Sequence, residues 1–493
     1  FPFALTVSTL WMAGCKYVWR NASPMAQRLG LCALIVATFG LFDLVRWDGL
    51  YGNQRSAFAW RWVPTAEEEF LSIHQQASDK PALDAASLNQ AKPLTLQPGD
   101  WAEFRGPNRD SQVHGVKLAT DWKTQPPKEL WRHRVGPAWS SMIVVDGKLF
   151  TQEQRGEKEA VVCYDATTGD EVWSHEDVVR FYDPLSGAGP RGTPTFSDGK
   201  IDSLGGTGRL NCLDAATGKV VWAHDVPKDA DAEVAPGGFG MRQWGYSNSP
   251  LVIADKVIVF GGGEHGKSLL AYRADNGEPI WNYASGSDGY SSPQLISVAG
   301  RPQIVIHSNA GLAAVEPTDG KMLWNQPSTA AMFLPITQPQ LVGDGALLAQ
   351  SENGVQLVSL NQDNDHWTAV QKWDSKALKP SLNDYVVCGN GIYGFDDGVF
   401  CCLDLETGKR RWKGGRYGHG QVLLIADQPL LLVLSETGEA VLIAPNEKQL
   451  DELCRCQVIE GKTWNHPIVA EGRLYARNGE EMACFELPLE KTN

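Results

Sequence analysis

The sequence predicts an all-β fold, an eight-bladed β-propeller, preceded by an N-terminal transmembrane helical segment. Three observations predict it. A Gly followed four residues later by Trp recurs at Gly169/Trp173, Gly218/Trp222, Gly277/Trp281, Gly320/Trp324 and Gly408/Trp412. Fifty glycines and 28 prolines fall mostly between short apolar runs, a pattern of many strands and turns rather than long helices. An apolar stretch, Leu29–Val45, lies ahead of all of this.

From the start of the chain, Phe1–Cys15 is apolar but too short to cross a bilayer, and is expected to be the end of a longer span. Leu29–Val45 has about the minimum spanning length, with Asp43 its only interruption; a buried helix of a soluble domain is the competing reading. Lys16, Arg20 and Arg28 lie between the two segments without an acidic residue. The positive-inside rule makes that loop cytoplasmic and puts everything after Val45 on the periplasmic side of the cell membrane. No small-residue cleavage site follows the first segment, so it does not read as a signal peptide. Residues 1–47 are thus expected to be membrane helices and 48–100 a helix and linker. Ala66–Ala77 is the amphipathic helix, and Ser78–Asp100, rich in Pro, Ala, Gln and Asp, the linker. Residues 101–128 lead into the propeller of 129–493.

The repeat is plainest at one turn. Cys163-Tyr164-Asp165-Ala166-Thr167-Thr168-Gly169 and Cys212-Leu213-Asp214-Ala215-Ala216-Thr217-Gly218 are near-copies. Asp opens such a hairpin turn, and Gly takes the left-handed position other residues avoid. Upstream lie two more short strands joined by pairs such as Asp146-Gly147. Four strands per unit is the pattern of a propeller blade. Counting from Trp139 gives eight units. The fifth is degenerate, with an altered turn at Asn361–Asp365 and Trp373 displaced. The seventh, around Leu431–Cys456, lacks the tryptophan, and the eighth stops near Pro488 without an outermost strand. Glu129–Val135, with Trp131, supplies that strand from the other end of the chain and leaves no open edge. The single repeat period argues against two sandwiches. Cys163, Cys212, Cys402 and Cys484 hold equivalent positions in different blades, too far apart for disulfides, and read as small buried hydrophobes. Adjacent Cys401 and Cys402 point to opposite faces of one strand.

At these residues the chain resembles the quinoprotein-like (pyrroloquinoline-quinone repeat) propellers, whose strands end in Ala-x-Asp, then Thr-Gly, then a Trp that docks blade on blade. The resemblance covers Trp101–Pro488. Trp101-Ala102-Glu103-Phe104-Arg105-Gly106-Pro107-Asn108-Arg109-Asp110 is also similar to the opening motif of membrane-anchored propellers of planctomycete-type bacteria. The resemblance implies two branches of function. One is a quinone- and Ca²⁺-dependent dehydrogenase oxidising an alcohol or sugar at the channel mouth. The other is an outer-membrane assembly propeller, a scaffold without quinone.

A Ca²⁺ site needs converging oxygens, and a quinone with three carboxylates needs cations. Asn383, Asp384, Arg191 and Arg242 are candidates, but Asn383-Asp384 also reads as a simple turn, and the long insertions of the dehydrogenases are missing. No metal-binding His pair, phosphate loop or nucleophile elbow is present. A net charge of −14 excludes nucleic acid as a partner. The connections from each tryptophan strand to the next blade's innermost strand share one face of a propeller. They carry Trp139, Arg191, Arg242, Trp244, Tyr246, Tyr290, Asn383, Asp384, Tyr417, His419, Trp464 and His466. That ring suggests a binding face for a protein, peptide or glycan partner. The reading adopted is a membrane-anchored scaffold without cofactor; pyrroloquinoline quinone with calcium is the alternative.

Overall fold

The computed structural model describes residues 23–52, 54–78, 92–232, 243–263, 266–328, 334–364 and 366–490, together with 9, 13 and 14. The expectation for Phe1–Cys15 falls almost wholly outside the described residues, as do Lys16, Arg20, Arg242 and most of the linker. Two compact units result, Phe1–Thr65 and Ala66–Asn493.

In the first unit, helix α1 (Pro24–Asp43) begins with proline, behind an N-cap at Ser23 whose side chain accepts from Ala26 N. It has mean hydropathy 1.7, and none of its most apolar window is buried. Where the sequence suggests the tail of a span and then linker, the structure builds a hairpin. Val45–Leu50 pairs antiparallel with Ser56–Trp60. Apolar side chains alternate there at period two, a strand signal too short to stand out beside the helix.

The second unit is the eight-bladed propeller. Its first seven blades are four-stranded antiparallel sheets in chain order, from Ile143–Asp177 in blade 1 to Gln421–Gln457 in blade 7. Blade 8 consists of Ile468–Ala470, Arg473–Arg477 and Glu481–Glu486, completed by Lys128–Arg134 from the chain's other end. The closure strand expected at Glu129–Val135 is therefore in place. Blade 7 gains a fifth strand, Gln112–Val113, parallel to its innermost one. Helix α2 (Ala66–Ser78) matches the amphipathic helix expected from Ala66. Its Glu67 binds Arg180 twice (2.7 and 2.8 Å) and accepts from Gly156 N, while Arg155 lies over the buried Phe70 ring.

The repeated tryptophan and glycine are two halves of one joint. Five outermost-strand indoles donate to a carbonyl in the glycine-bearing turn of the following blade: Trp131 to Ala166, Trp173 to Ala215, Trp222 to Ala274, Trp281 to Pro317, Trp373 to Leu405. The ring lies flat under that turn's glycine. A Cβ on Gly218 would sit 2.5 Å from Trp173, and its φ of +70° is itself unfavourable for other residues. Where blade 5 has lost this turn, Trp324 of blade 4 bonds instead to the Gln303 side chain. In tryptophan-less blade 7, Cys454 shares its core cluster with Trp122 from the lead-in segment. The repeated cysteines are the cross-strand partners of the tryptophans, as in Cys163/Trp173 and Cys212/Trp222. All described cysteines are free thiols, and Cys401 and Cys402 point into different core clusters.

Candidate functional site

Residues at and just before the innermost strands bond from one blade to the next. Ser141 N donates to Thr193 Oγ1 (3.1 Å), Thr193 N to Ser249 Oγ (2.9 Å), and Ser249 N to Ser292 Oγ (2.9 Å). Asp384 N donates to Gln421 Oε1 (3.1 Å), and Ser141 Oγ closes blade 1 on blade 8 at His466 O (2.7 Å). Short polar side chains suit this belt because buried backbone N–H groups must be bonded.

Inside the belt the channel is filled by the chain itself. Trp101 pairs with Val144 beside the Asp146-Gly147 turn, and the chain leaves on the same side, where Gly115 N meets Asp427. Between them runs a tight loop with Arg105, Gly106, Arg109 and Ser111 all at positive φ, Gly106 lying against the Trp101 ring. Three non-glycine residues in that region cost energy and persist only where surroundings impose them. The surroundings here are two buried arginines. Arg109 binds Glu103 (2.8 Å), Pro293 O (2.8 Å) and Pro250 O, gathering blades 3 and 4. Arg105 binds Asp384 (2.9 Å), Ser111 Oγ (2.8 Å) and Tyr385 O (3.4 Å). His466 Nε2 lies 2.8 Å from the same Asp384 carboxylate, and Phe104 meets the His466 ring edge-on at 5.0 Å. Burial would raise the Asp384 carboxyl, but Arg105 and His466 outweigh it and hold it below its ordinary value.

The candidate residues separate into three groups around this plug. Asp384 and His466 hold its tip. Tyr246, Asn383 and Tyr417 are buried packing groups: Tyr246 Oη donates to Gly261 O (3.3 Å), Asn383 Nδ2 to Gly420 O (2.5 Å), and Tyr417 Oη to Glu452 (2.7 Å). The third group forms the open side of the loop face. Trp139 and Trp464, both half-buried, face each other at 4.8 Å and 34°, with Lys462 Nζ 5.1 and 4.6 Å from their rings. Their indoles are fixed from behind, Trp464 Nε1 by Glu436 (2.8 Å) and Trp139 Nε1 by Ser186 O (2.9 Å). Glu436 also accepts from His419 N. Next to them Arg191 lies over Phe181 (4.5 Å) and pairs with Asp183 (3.1 Å); burial pushes its guanidinium down to about 10. Burial likewise lowers the Lys462 ammonium. Trp244, partly exposed, meets Tyr290 at 5.1 Å, but Tyr290 is itself buried and is not part of the open side. Arg242 lies outside the described residues. Two rigid indoles with their donors already satisfied offer contact area at small entropy cost, beside a cation that a ligand can displace.

Residues 157–414 match the family described as outer membrane protein assembly factor BamB, more than half of the chain. The chain belongs to this family. Among solved structures, BamB from Moraxella catarrhalis is similar at 17% identity over 73% of this chain and 100% of that one, with a TM-score of 0.51. The quinohemoprotein alcohol dehydrogenase ADHIIG from Pseudomonas putida HK5 is similar at 13% identity over 83% of each chain, with a TM-score of 0.55. At such identities the likeness is one of fold, a PQQ-repeat propeller. No curated protein sequence matches the chain significantly.

Within this family the fit to a quinone and Ca²⁺ can be tested on the residues present. Asp384, a buried carboxylate of the belt, meets the Arg105 guanidinium and the His466 ring and is partnered without a metal. Asn383 spends its Nδ2 inside the belt and leaves Oδ1 as a single buried neutral oxygen without a hydrogen-bond partner. Among the described residues no three His, Cys, Asp or Glu side chains converge on one point. This donor set does not fit Ca²⁺, which takes six to eight oxygens. Excess pyrroloquinoline quinone and Ca²⁺ are therefore expected to leave the thermal midpoint unchanged. A rise with added quinone, as ligand linkage requires of a bound cofactor, would show the fit to be real.

The sequence reading missed Lys462, Glu436, Asp183 and the two plug arginines. Lys462 stands two residues before Trp464 and was within reach of that reading. Glu436 lies in the Ser435–Gly438 turn between strands of one blade, and such turns share the loop face with the blade connections.

Proposed function

We propose that this chain is a membrane-linked, extracytoplasmic binding scaffold that holds an extended segment of a protein partner on the Trp139–Trp464 ledge. The observation that carries the reading is the pairing of two half-buried indoles under Lys462, on a propeller whose axis its own chain has closed. Surface aromatics of this kind are the usual anchors of protein interfaces. The family description, an assembly factor, supports a partner that is itself protein. An acidic chain of net charge −14 favours a segment with basic residues, whose cation can take the place of Lys462 over the rings. A photo-crosslinking residue at position 462, in cells, is expected to give a discrete protein adduct. The same residue at Asp319, in a turn of the opposite face, is expected to give none. Adducts of equal yield at both positions would defeat the reading.

Membrane linkage rests on α1, whose 20 residues reach about 30 Å, one hydrocarbon thickness. The side is proposed from kinship with an envelope protein family and from Lys16, Arg20 and Arg28 ahead of the helix; Arg46, Arg55 and Arg61 follow it, so charge bias alone does not fix orientation. Protease added to spheroplasts is expected to digest the propeller. Full protection until lysis would place it in the cytoplasm instead.

A further inference from the structure

The hairpin that follows α1 has one face made almost entirely of large apolar side chains. Its register sets Val45 opposite Trp60 and Trp47 opposite Phe58. Positions two apart on a strand share a face, so these four side chains form one slab. Trp62, just past the strand, stacks on Trp60 at 4.9 Å and 9° and extends it. The slab is open: Trp47 is 40% exposed, Phe58 68%, Trp60 45% and Trp62 62%. The opposite face is polar at its centre, where Arg46 binds Asp48 (2.6 Å) and the Val63 carbonyl (3.0 Å).

Two physical facts demand a partner for this slab. A lone two-stranded hairpin is at best marginal in water. A contiguous exposed apolar patch marks an interaction site. The chain itself indicates which partner. Leu44 caps α1, Val45 starts the hairpin at once, and Arg61 N donates back to Leu44 O (2.9 Å), fastening the hairpin to the helix end. A helix lying in the hydrocarbon therefore leaves the hairpin no depth but the headgroup boundary. Tryptophan is enriched at that boundary, where its ring is apolar and its N–H can remain hydrated.

We infer that the Val45–Trp60 hairpin is an interfacial anchor whose Trp47–Phe58–Trp60–Trp62 face rests on the lipid surface. The inference depends on the reading of α1 as a membrane helix and adds to it a second point of attachment. It fixes the depth and rotation of the helix end, which a single apolar helix leaves free.

The full chain in phosphatidylcholine vesicles tests it, with bromine atoms at shallow acyl carbons as contact quenchers of tryptophan fluorescence. The comparison is between wild type, Trp62→Gln alone, and the combined Trp47→Gln, Trp60→Gln and Trp62→Gln variant. Trp62 lies outside the strands, so its single change keeps the hairpin folded. Trp11, Trp19 and the propeller tryptophans are common to all samples. The quenched fraction is expected to fall in the single variant and to about half or less of wild type in the triple one. Flotation of the vesicles, read separately, reports on α1. Chains that float with equal quenching in all three forms overturn the hairpin anchor and leave the membrane helix standing. Chains that do not float overturn both. A wild type that floats unquenched but crosslinks as a dimer through this face would assign the slab to a second copy.

Discussion

Replacing Arg105 with alanine is expected to lower the unfolding free energy by about 3–5 kcal/mol, the usual cost of stripping one partner from a buried ion pair. Asp384 is buried within the belt, and without Arg105 only His466 remains beside it. The change also removes the bonds to Ser111 Oγ and Tyr385 O, and alanine at φ +66° recovers none of the backbone strain. The midpoint of denaturant unfolding at pH 7 measures the loss. The acid limb supplies a second reading. In wild type the folded Asp384 pKa lies below its ordinary value of 3.8, so its contribution is present above about pH 4 and fades as pH falls through the folded value. Without Arg105 the largest influence opposing burial is gone and the carboxyl rises from its wild-type position. Acidification toward pH 4 should then narrow the gap between variant and wild type rather than widen it. A loss under about 1 kcal/mol, with parallel pH curves, would mean that the plug is not seated on Asp384.

The second large effect concerns the blade joint. Trp173→Ala removes a ring that is 94% buried, counting from its 6% exposure, and leaves the Ala215 carbonyl without its indole donor. Truncation of a buried aromatic costs about 3–5 kcal/mol. Gly218→Ala attacks the same joint from the other side, placing a methyl 2.5 Å from the Trp173 ring in a backbone region alanine avoids. Because the two changes disrupt one contact, the combined variant should lose less than the sum of the singles. Strict additivity would show that ring and glycine act independently, and the explanation of the repeat given above would fail.

That joint explains why so much of the propeller was legible in the sequence. Glycine and tryptophan are four residues apart in one hairpin, yet each meets its complement in the neighbouring blade, so one local signal reports both strand pairing and ring closure. The plug gave no such signal. Arg105 and Arg109 find partners 280 and 184 residues away, in a segment that precedes the repeat. The loop face was legible by position but not by orientation. Tyr246 and Tyr417 stand in the expected connections but turn inward between blades, whereas Trp139 and Trp464 stay half-open because each indole is held from behind. Spacing along a chain locates a loop; it does not say which way an irregular backbone points each side chain. The hairpin after α1 was hidden for another reason. Its aromatic face looks outward, so the sequence offers no core for it to join.

The scaffold reading is tested most directly by the double variant Trp139→Ala, Trp464→Ala, carrying the crosslinker at position 462. The account predicts a folded propeller whose stability drops by no more than about 1–2 kcal/mol, because both rings are only partly buried, together with loss of the protein adduct. Retention of the adduct, or a loss of stability as large as that of Trp173→Ala, would contradict it and return the two indoles to the role of packing residues.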